Sequence, residues 1–197
     1  MSLEELIAFI SGSVCVYLAA KEKPLTWPIG IVTAIVLTMI FWKLRFYGQM
    51  LFQIVYIIES FYGWYKWSKK KTDDKEILKV KFTGKIQYIV LGVIGVISVL
   101  ALGNLFEITG DPVPYADAFI SVSSLLAEYM MCIKLYESWY IYILADIVAI
   151  VLCVREGLYL TAGTYIAFII FGIFGIVEWR KSIKNSEGKT NLFVQEI

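Results

Sequence analysis

Carboxylate side chains lie inside segments of this chain that are otherwise apolar. Asp146 is near the middle of the apolar segment 139–154, and Glu128 lies within the segment before it. A charged group inside a membrane helix is costly, so such groups face the interior of a helix bundle and mark paths for ions, protons or ligands. The chemistry that these residues predict is recognition of a cationic or polar molecule.

Further polar and aromatic residues have the spacing of a single helix face. Gln49, Gln53 and Tyr56 are four and three residues apart, and a set in segment 139–154 has spacings of three and four. Residues at these spacings share one side of an α-helix. Together they supply aromatic walls, amides and carboxylates for one pocket. The predicted substrate-binding residues are Gln49, Gln53, Tyr56, Glu59, Glu128, Trp139, Tyr142, Asp146 and Tyr165.

Structural interpretations of the same residues stay open. Aromatic residues near the ends of apolar segments are typical of the membrane interface, and Gln or Ser inside them can simply link helices by hydrogen bonds. Glu128 is close enough to the end of its segment to reach the interface or to pair with Lys134. If Asp146 balances a ligand charge, Asp146→Asn should lower ligand affinity at least severalfold; unchanged affinity would assign Asp146 to structure.

The residue types argue against an enzyme. The 197 residues include no His, which removes the commonest metal ligand and the commonest proton carrier near neutral pH. No HExxH, CxxC, GxGxxG or GxxxxGK[ST] motif occurs. Proteolysis by paired intramembrane Asp is disfavoured, because Asp146 is the one Asp well inside an apolar segment. We therefore predict no catalytic residue, cofactor or metal, and the net charge of +1 does not suggest nucleic acid as a partner.

The elements that must position these residues are hydrophobic helices. Hydrophobic residues make up 59% of the chain and charged residues 18%, and the mean hydropathy is +0.71, which is too apolar for a soluble domain of this size. A bilayer crossing needs roughly 20 apolar residues. The sequence therefore predicts an all-α integral membrane protein with seven transmembrane helices, at 3–20, 27–42, 47–64, 86–105, 117–136, 139–154 and 158–179.

The distribution of basic residues predicts the orientation. If the N-terminus is outside, nearly all Lys and Arg residues fall on the cytoplasmic side, and only Lys43, Arg45 and Arg155 fall outside. Basic residues are retained preferentially in the cytoplasm, so the prediction is N-terminus outside and C-terminus inside. The lysine-rich run 68–85 is predicted to be a solvated cytoplasmic loop, and 182–197 a frayed cytoplasmic tail.

A shift by 112 positions aligns the sequence with itself. It superimposes Trp27 on Trp139 and Gly63 on Gly175, together with many apolar positions. We interpret this as an internal repeat of two triple-helix units, 1–67 and 117–181. Residues 86–116 would form a linker helix and an external loop between them. Units four spans apart have the same orientation, and parallel repeats of this kind are typical of transporters with a binding site near the membrane midplane.

Nearly the whole chain resembles the PnuC family of bacterial vitamin-precursor transporters. The specific elements are WPxG at 27–30, QxxY at 53–56, ESW at 137–139 and GLYLTA at 157–162. The resemblance implies a SWEET-like bundle in a 3+1+3 arrangement in the bacterial cytoplasmic membrane. It implies facilitated diffusion of an unphosphorylated vitamin, usually nicotinamide riboside, which a cytoplasmic kinase then traps without implied contact. The implied site consists of Gln53, Tyr56, Trp139, Asp146 and Tyr165.

Some relatives transport thiamine or riboflavin instead of nicotinamide riboside. The carboxylates of this chain indicate which of these vitamins it binds. Family members often have an amide at the position of Glu128 and an apolar or small residue at that of Glu59. Nicotinamide riboside and thiamine each carry a positive ring, which carboxylates and aromatic faces attract. We therefore expect nicotinamide riboside first, thiamine second and neutral riboflavin last. A scaffold or receptor that moves no substrate is the alternative from another class, and association into homo-oligomers is left open.

Overall fold

The computed structural model describes residues 3–43, 47–69 and 78–195, and seven α-helices make up most of these ranges. They coincide with the seven predicted segments and confirm the all-α class. Over the same ranges no β-strand is formed. The helices are α1 (Leu3–Ala20), α2 (Thr26–Lys43), α3 (Tyr47–Trp67), α4 (Lys85–Ile108), α5 (Pro114–Cys132), α6 (Ser138–Arg155) and α7 (Tyr159–Gln195).

Two helix ends differ from the prediction by more than about three residues. Helix α5 ends at Cys132 rather than at Tyr136, because Lys134 has a φ of 54°, in the left-handed region, and turns the chain toward α6. Helix α7 continues to Gln195, so the prediction of a frayed tail is wrong for 182–195. The residues after Trp179 include no Pro and many helix formers, and the buried Ile183 packs against the rest of the bundle.

Exposed apolar surface shows that the bundle belongs in a membrane. Helices α4 and α6 and residues Tyr159–Ser186 of α7 are long and apolar enough to cross a bilayer, and α1 and α2 contain shorter apolar stretches. Ile86 and Ile89 of α4 are 77% and 67% exposed. Helices that are apolar on nearly every side are buried in a large core or in lipid. The chain is therefore a multi-pass membrane protein.

Six of the helices form a closed ring. Neighbours pack in the order α1, α2, α3, α5, α6, α7, and α7 packs against α1. Helix α4 lies outside this ring, against α5. In this arrangement α2 stands opposite α6 and α1 stands opposite α5. Side chains on the inner faces of all six ring helices can therefore reach one central space.

A tryptophan cluster, formed by Trp27, Trp67, Trp139 and Trp179, fills one end of the ring. The rings of Trp27 and Trp67 meet edge to face with centroids 5.2 Å apart, and those of Trp139 and Trp179 do so at 5.5 Å. The rings of Trp67 and Trp179 are 6.1 Å apart and join the two pairs. All four side chains are at least 93% buried. We call this end of the bundle the tryptophan end.

Glycines on the facing helices make room for two of these rings. A Cβ atom added to Gly175 would lie 2.5 Å from a ring carbon of Trp139, and one added to Gly63 would overlap Trp27. Such contacts are too short for real Cβ atoms. Gly63 of α3 is therefore in direct contact with Trp27 of α2, and Gly175 of α7 is in direct contact with Trp139 of α6.

Gly175→Ala is expected to destabilise the protein by about 1–3 kcal/mol, because the added methyl group overpacks the site against Trp139. Gly163 is the matched control in the same helix, since a Cβ there meets no atom within 4 Å. Gly163→Ala is expected to stabilise by about 0.5–1 kcal/mol by reducing backbone entropy. Thermal unfolding in detergent measures both. Equal melting temperatures for the two variants would contradict the close packing.

Residues 78–84 are docked on the bundle, which makes the prediction of a solvated loop wrong for this part. The backbone N–H of Lys81 donates to the carbonyl of Lys134 at 3.1 Å, and the N–H of Tyr136 donates to the carbonyl of Lys81 at 2.9 Å. The Glu137 carboxylate accepts hydrogen bonds from the backbone N–H and hydroxyl of Thr83 at 2.8 and 2.5 Å. Residues 70–77 lie outside the described residues.

Candidate functional site

The central space of the ring holds a cavity of about 340 Å³. All six ring helices line it, from Gly12 of α1 to Gly172 of α7. This volume is within the range of pockets that enclose small molecules. Seven of the predicted binding residues line the cavity, and these are Gln53, Tyr56, Glu128, Trp139, Tyr142, Asp146 and Tyr165.

Glu128 is the most deeply placed acid of the cavity wall. It is 4% exposed, and its Oε2 accepts a hydrogen bond from the Tyr142 hydroxyl. Its other oxygen, Oε1, is buried without a hydrogen-bond partner among the described residues. The suggested pairing of Glu128 with Lys134 is wrong, because the Lys134 ammonium binds Glu22 instead. Glu128 therefore brings to the cavity wall a carboxylate with one oxygen that no described residue pairs by a hydrogen bond.

Asp146 adds a second carboxylate to the same wall. Over the described ranges its side chain makes no hydrogen bond or ion pair. Of the described residues that line the cavity, none is Lys or Arg. A cavity with two acids and no basic side chain favours a cation and disfavours an anion.

One predicted residue, Glu59, is not brought to the cavity. Glu59 is half-buried on α3 and lines neither this cavity nor the larger space next to it. Its Oε2 is buried and lacks a hydrogen-bond partner in the described part of the chain. The side chain of Gln49 lies outside the described residues. The roles of Glu59 and Gln49 in binding stay predictions.

Cavity residues occur at positions 112 apart. Trp27 and Trp139 both line the cavity, and further lining pairs include Gln53 with Tyr165 and Tyr56 with Phe168. Other pairs differ in chemistry, because the positions of Glu128, Tyr142 and Asp146 correspond to Val16, Gly30 and Ala34. The two halves of the wall therefore share their backbone positions but not their charges.

Trp27 was missing from the predicted binding residues. Its indole ring lines the cavity opposite Trp139, and it is 3% exposed. The signal that could have found it was the repeat itself, which places Trp27 at the position of Trp139. A residue predicted to bind in one half of a repeat makes its counterpart a candidate in the other half.

The cavity is closed at the tryptophan end and continues away from it. A second space of about 440 Å³ shares Gln53, Tyr56 and Tyr165 with the first. It extends to Asp117 in the first turn of α5 and to Cys153 near the end of α6. Both of these positions lie toward the opposite end of the bundle. In this conformation a ligand would therefore reach the cavity from the end opposite the tryptophan cluster.

Ion pairs join the two halves of the ring at the tryptophan end. Lys134 Nζ is 2.7 Å from Glu22 Oε2, and Lys21 Nζ is 2.7 Å from Glu178 Oε2. Glu22 and Lys134 are 112 positions apart, and both have a left-handed backbone, with φ of 53° and 54°. Lys134 Nζ also lies 4.6 Å from the centre of the Trp67 ring, a favourable cation–π distance.

Indole hydrogen bonds cross between the same halves. Trp67 Nε1 donates to the carbonyl of Cys132 at 3.2 Å, and Trp179 Nε1 donates to the carbonyl of Ala19 at 3.1 Å. The first bond runs from α3 to the end of α5, and the second runs from α7 to the end of α1. These contacts all lie at the tryptophan end of the bundle.

A ring of membrane helices around an acidic, aromatic cavity that is closed at one end defines a small-molecule transporter. The chain belongs to the family described as "Nicotinamide mononucleotide transporter", which matches residues 2–181. The resemblance to the PnuC family is thereby confirmed, and the protein is a transporter and not an enzyme.

Individual relatives are distant but similar over most of their length. The "Nicotinamide riboside transporter PnuC" of Escherichia coli (strain K12) is 23% identical, over 93% of this chain and 87% of the relative. The "Riboflavin/roseoflavin transporter RibM" of Streptomyces davaonensis is 25% identical, over 89% of this chain and 83% of the relative. The crystal structure of "the Vitamin B3 transporter PnuC" superposes with a TM-score of 0.74 at 21% identity, covering 91% of this chain and 81% of that one. That structure shows that the two chains share a fold.

Proposed function

We propose that this protein carries nicotinamide riboside across the bacterial cytoplasmic membrane by facilitated diffusion. The observation that carries this proposal is the pair of carboxylates, Glu128 and Asp146, in an aromatic cavity without a Lys or Arg among its described lining residues. A fixed pyridinium charge is attracted both by carboxylates and by the faces of aromatic rings. Relatives that are named as nicotinamide riboside transporters support the same substrate.

The cavity favours the riboside over the phosphorylated mononucleotide. Proteins bind phosphate groups with Arg or Lys side chains, or with the N-terminal ends of helices. Here the described lining residues offer no basic side chain, and Glu128 and Asp146 would repel a phosphate. Trapping of the riboside would then depend on a kinase in the cytoplasm, after transport.

Riboflavin stays an alternative substrate, because the relative named as a riboflavin and roseoflavin transporter is as similar to this chain as the riboside transporters are. A neutral isoalloxazine ring would gain little from Glu128 and Asp146. Thiamine carries a positive ring and suits the same two carboxylates. The expected order of affinity is therefore nicotinamide riboside, thiamine and riboflavin.

The architecture that we propose is a 3+1+3 bundle, with α1–α3 and α5–α7 as parallel units and α4 as the linker. The ring order and the lining pairs 112 positions apart support it. Rocking of the two units about the cavity would expose it to one side of the membrane at a time. With the N-terminus outside, the closed tryptophan end would face the cytoplasm.

The proposal is tested with purified protein and three ligands. A ligand that binds the folded state raises its melting temperature, so nicotinamide riboside should produce the largest shift of the three. Counterflow of labelled riboside in proteoliposomes should follow, and uptake into vesicles without any kinase present should not be inhibited by an uncoupler. Tighter binding of riboflavin than of both nicotinamide riboside and thiamine would contradict the proposal that the substrate is a cationic vitamin. Binding without counterflow would favour a receptor or scaffold, and inhibition by an uncoupler would overturn uniport.

A further inference from the structure

The tryptophan cluster contains two kinds of indole. Trp67 and Trp179 donate their N–H groups to backbone carbonyls of the opposite half. Trp27 and Trp139 are 3% and 2% exposed, yet their Nε1 atoms have no acceptor among the described residues. A buried donor without an acceptor costs about 1–3 kcal/mol, so most such groups in proteins are paired. The two unpaired indoles are the two that line the cavity.

Packing fixes the orientation of Trp27. Its six-membered ring lies against Gly63 of α3, where an added Cβ would overlap it, and the rings of Trp27 and Trp67 meet edge to face. The indole therefore cannot turn to find a protein acceptor without disturbing the closed end of the ring. This arrangement fixes the buried donor beside the cavity that the indole of Trp27 lines.

The charges of the cavity lie on the wall opposite Trp27. Glu128 and Asp146 belong to α5 and α6, and the corresponding positions of α1 and α2 are Val16 and Ala34. The described residues of α1 and α2 that line the cavity include no charged side chain. The cationic part of a ligand is therefore drawn toward α5 and α6, and its uncharged part faces α1 and α2.

We propose that Trp27 is a substrate-binding residue whose indole N–H donates to an uncharged oxygen of the ligand, such as a sugar hydroxyl or ring oxygen. Trp139 offers the equivalent donor from the opposite wall, next to the carboxylates. The assignment rests on the proposed function, because it takes the cation and the sugar of a riboside as the two halves of the ligand. It makes Trp27 a determinant of specificity for the sugar half.

The test removes only the N–H group. Replacing Trp27 with 3-benzothienylalanine, which has sulfur in place of N–H, should lower the affinity for nicotinamide riboside about three- to tenfold, the effect of one lost hydrogen bond. The melting temperature without ligand should not fall, because no protein hydrogen bond is lost. Trp67 is the matched control. The same replacement there removes the bond to Cys132 and should lower the melting temperature with little change in affinity.

A second ligand locates the contact. 1-Methylnicotinamide carries the ring cation without the sugar, so the change at Trp27 should not alter its competition for binding. Trp27→Phe, made in parallel, should likewise lower the affinity for nicotinamide riboside more than the affinity for 1-methylnicotinamide. Unchanged riboside affinity, or equal loss for both ligands, would overturn the assignment. Absence of riboside binding by the unaltered protein would overturn the proposed function, and with it the sugar contact of Trp27.

Discussion

Glu128→Gln is expected to lower the affinity for nicotinamide riboside at least tenfold. The exchange removes the charge and keeps the size of the side chain, and the amide oxygen can still accept the hydrogen bond from Tyr142. Two unit charges 4 Å apart interact by about 4 kcal/mol at the effective dielectric constant typical of proteins. Loss of a third of that energy already corresponds to about tenfold in affinity.

Two comparisons separate the charge from the structure. Tyr142→Phe removes the hydrogen bond and leaves the Glu128 carboxylate, so it should weaken riboside binding less than Glu128→Gln does. Riboflavin carries no positive ring, and its affinity should not fall with Glu128→Gln. Calorimetric titration of the purified variants measures both. If riboside and riboflavin lost affinity equally, the carboxylate would serve the fold and not the ligand cation.

The helices could be predicted because bilayer length and hydropathy leave few alternatives for a chain this apolar. The ends were harder, because they depend on single backbone conformations. The left-handed turn at Lys134, which ends α5, involves a residue type that rarely adopts such φ values. The docking of 78–84 depends on a carboxylate, Glu137, that is distant in sequence from Thr83. Neither feature leaves a periodic pattern.

The sequence could predict which residues of one helix share a face, but not which residues of different helices pair with each other. Helical spacing correctly placed Gln53 with Tyr56, and Tyr142 with Asp146, along one cavity. It could not show that Tyr142 donates to Glu128 or that Lys134 prefers Glu22, because these pairs join different helices. Glu59 follows Tyr56 by three residues, yet its side chain does not line the cavity. Burial of a carboxylate in a helix therefore indicates an interior position without saying which space it faces.

The second large effect is expected from Glu22→Lys, which should open the cavity toward the tryptophan end. In the closed state Lys134 has an 8% exposed side chain and takes its ion partner from Glu22. Loss of one partner from a fully buried pair costs about 3–5 kcal/mol, and less where a partner is partly exposed, as Glu22 is at 25%. Two lysines at this point would repel each other and favour separation of the halves.

The native Cys15 reports the opening, because its thiol lines the cavity. With Cys132 and Cys153 replaced by Ser, and with the tryptophan end facing the cytoplasm as proposed, alkylation of Cys15 by an impermeant reagent from the cytoplasmic side should be at least tenfold faster in Glu22→Lys. From the outside, the same reagent should react more slowly with Cys15 of the Glu22→Lys variant than with Cys15 of the protein that keeps Glu22 and Lys134. Equal rates from the cytoplasmic side with and without Glu22→Lys would show that the ion pair does not hold this end closed.

Reversal of both charges provides the decisive control. Adding Lys134→Glu to Glu22→Lys restores an attractive pair between two positions with the same left-handed backbone, so labelling from the cytoplasmic side should slow again. The rescue should be partial, because a carboxylate at position 134 cannot make the cation–π contact with Trp67. A double variant as open as Glu22→Lys alone would assign the opening to the size or packing of the side chains. Rescue would assign the opening to the charges, and would show that the ion pair between positions 22 and 134 stabilises the closed state.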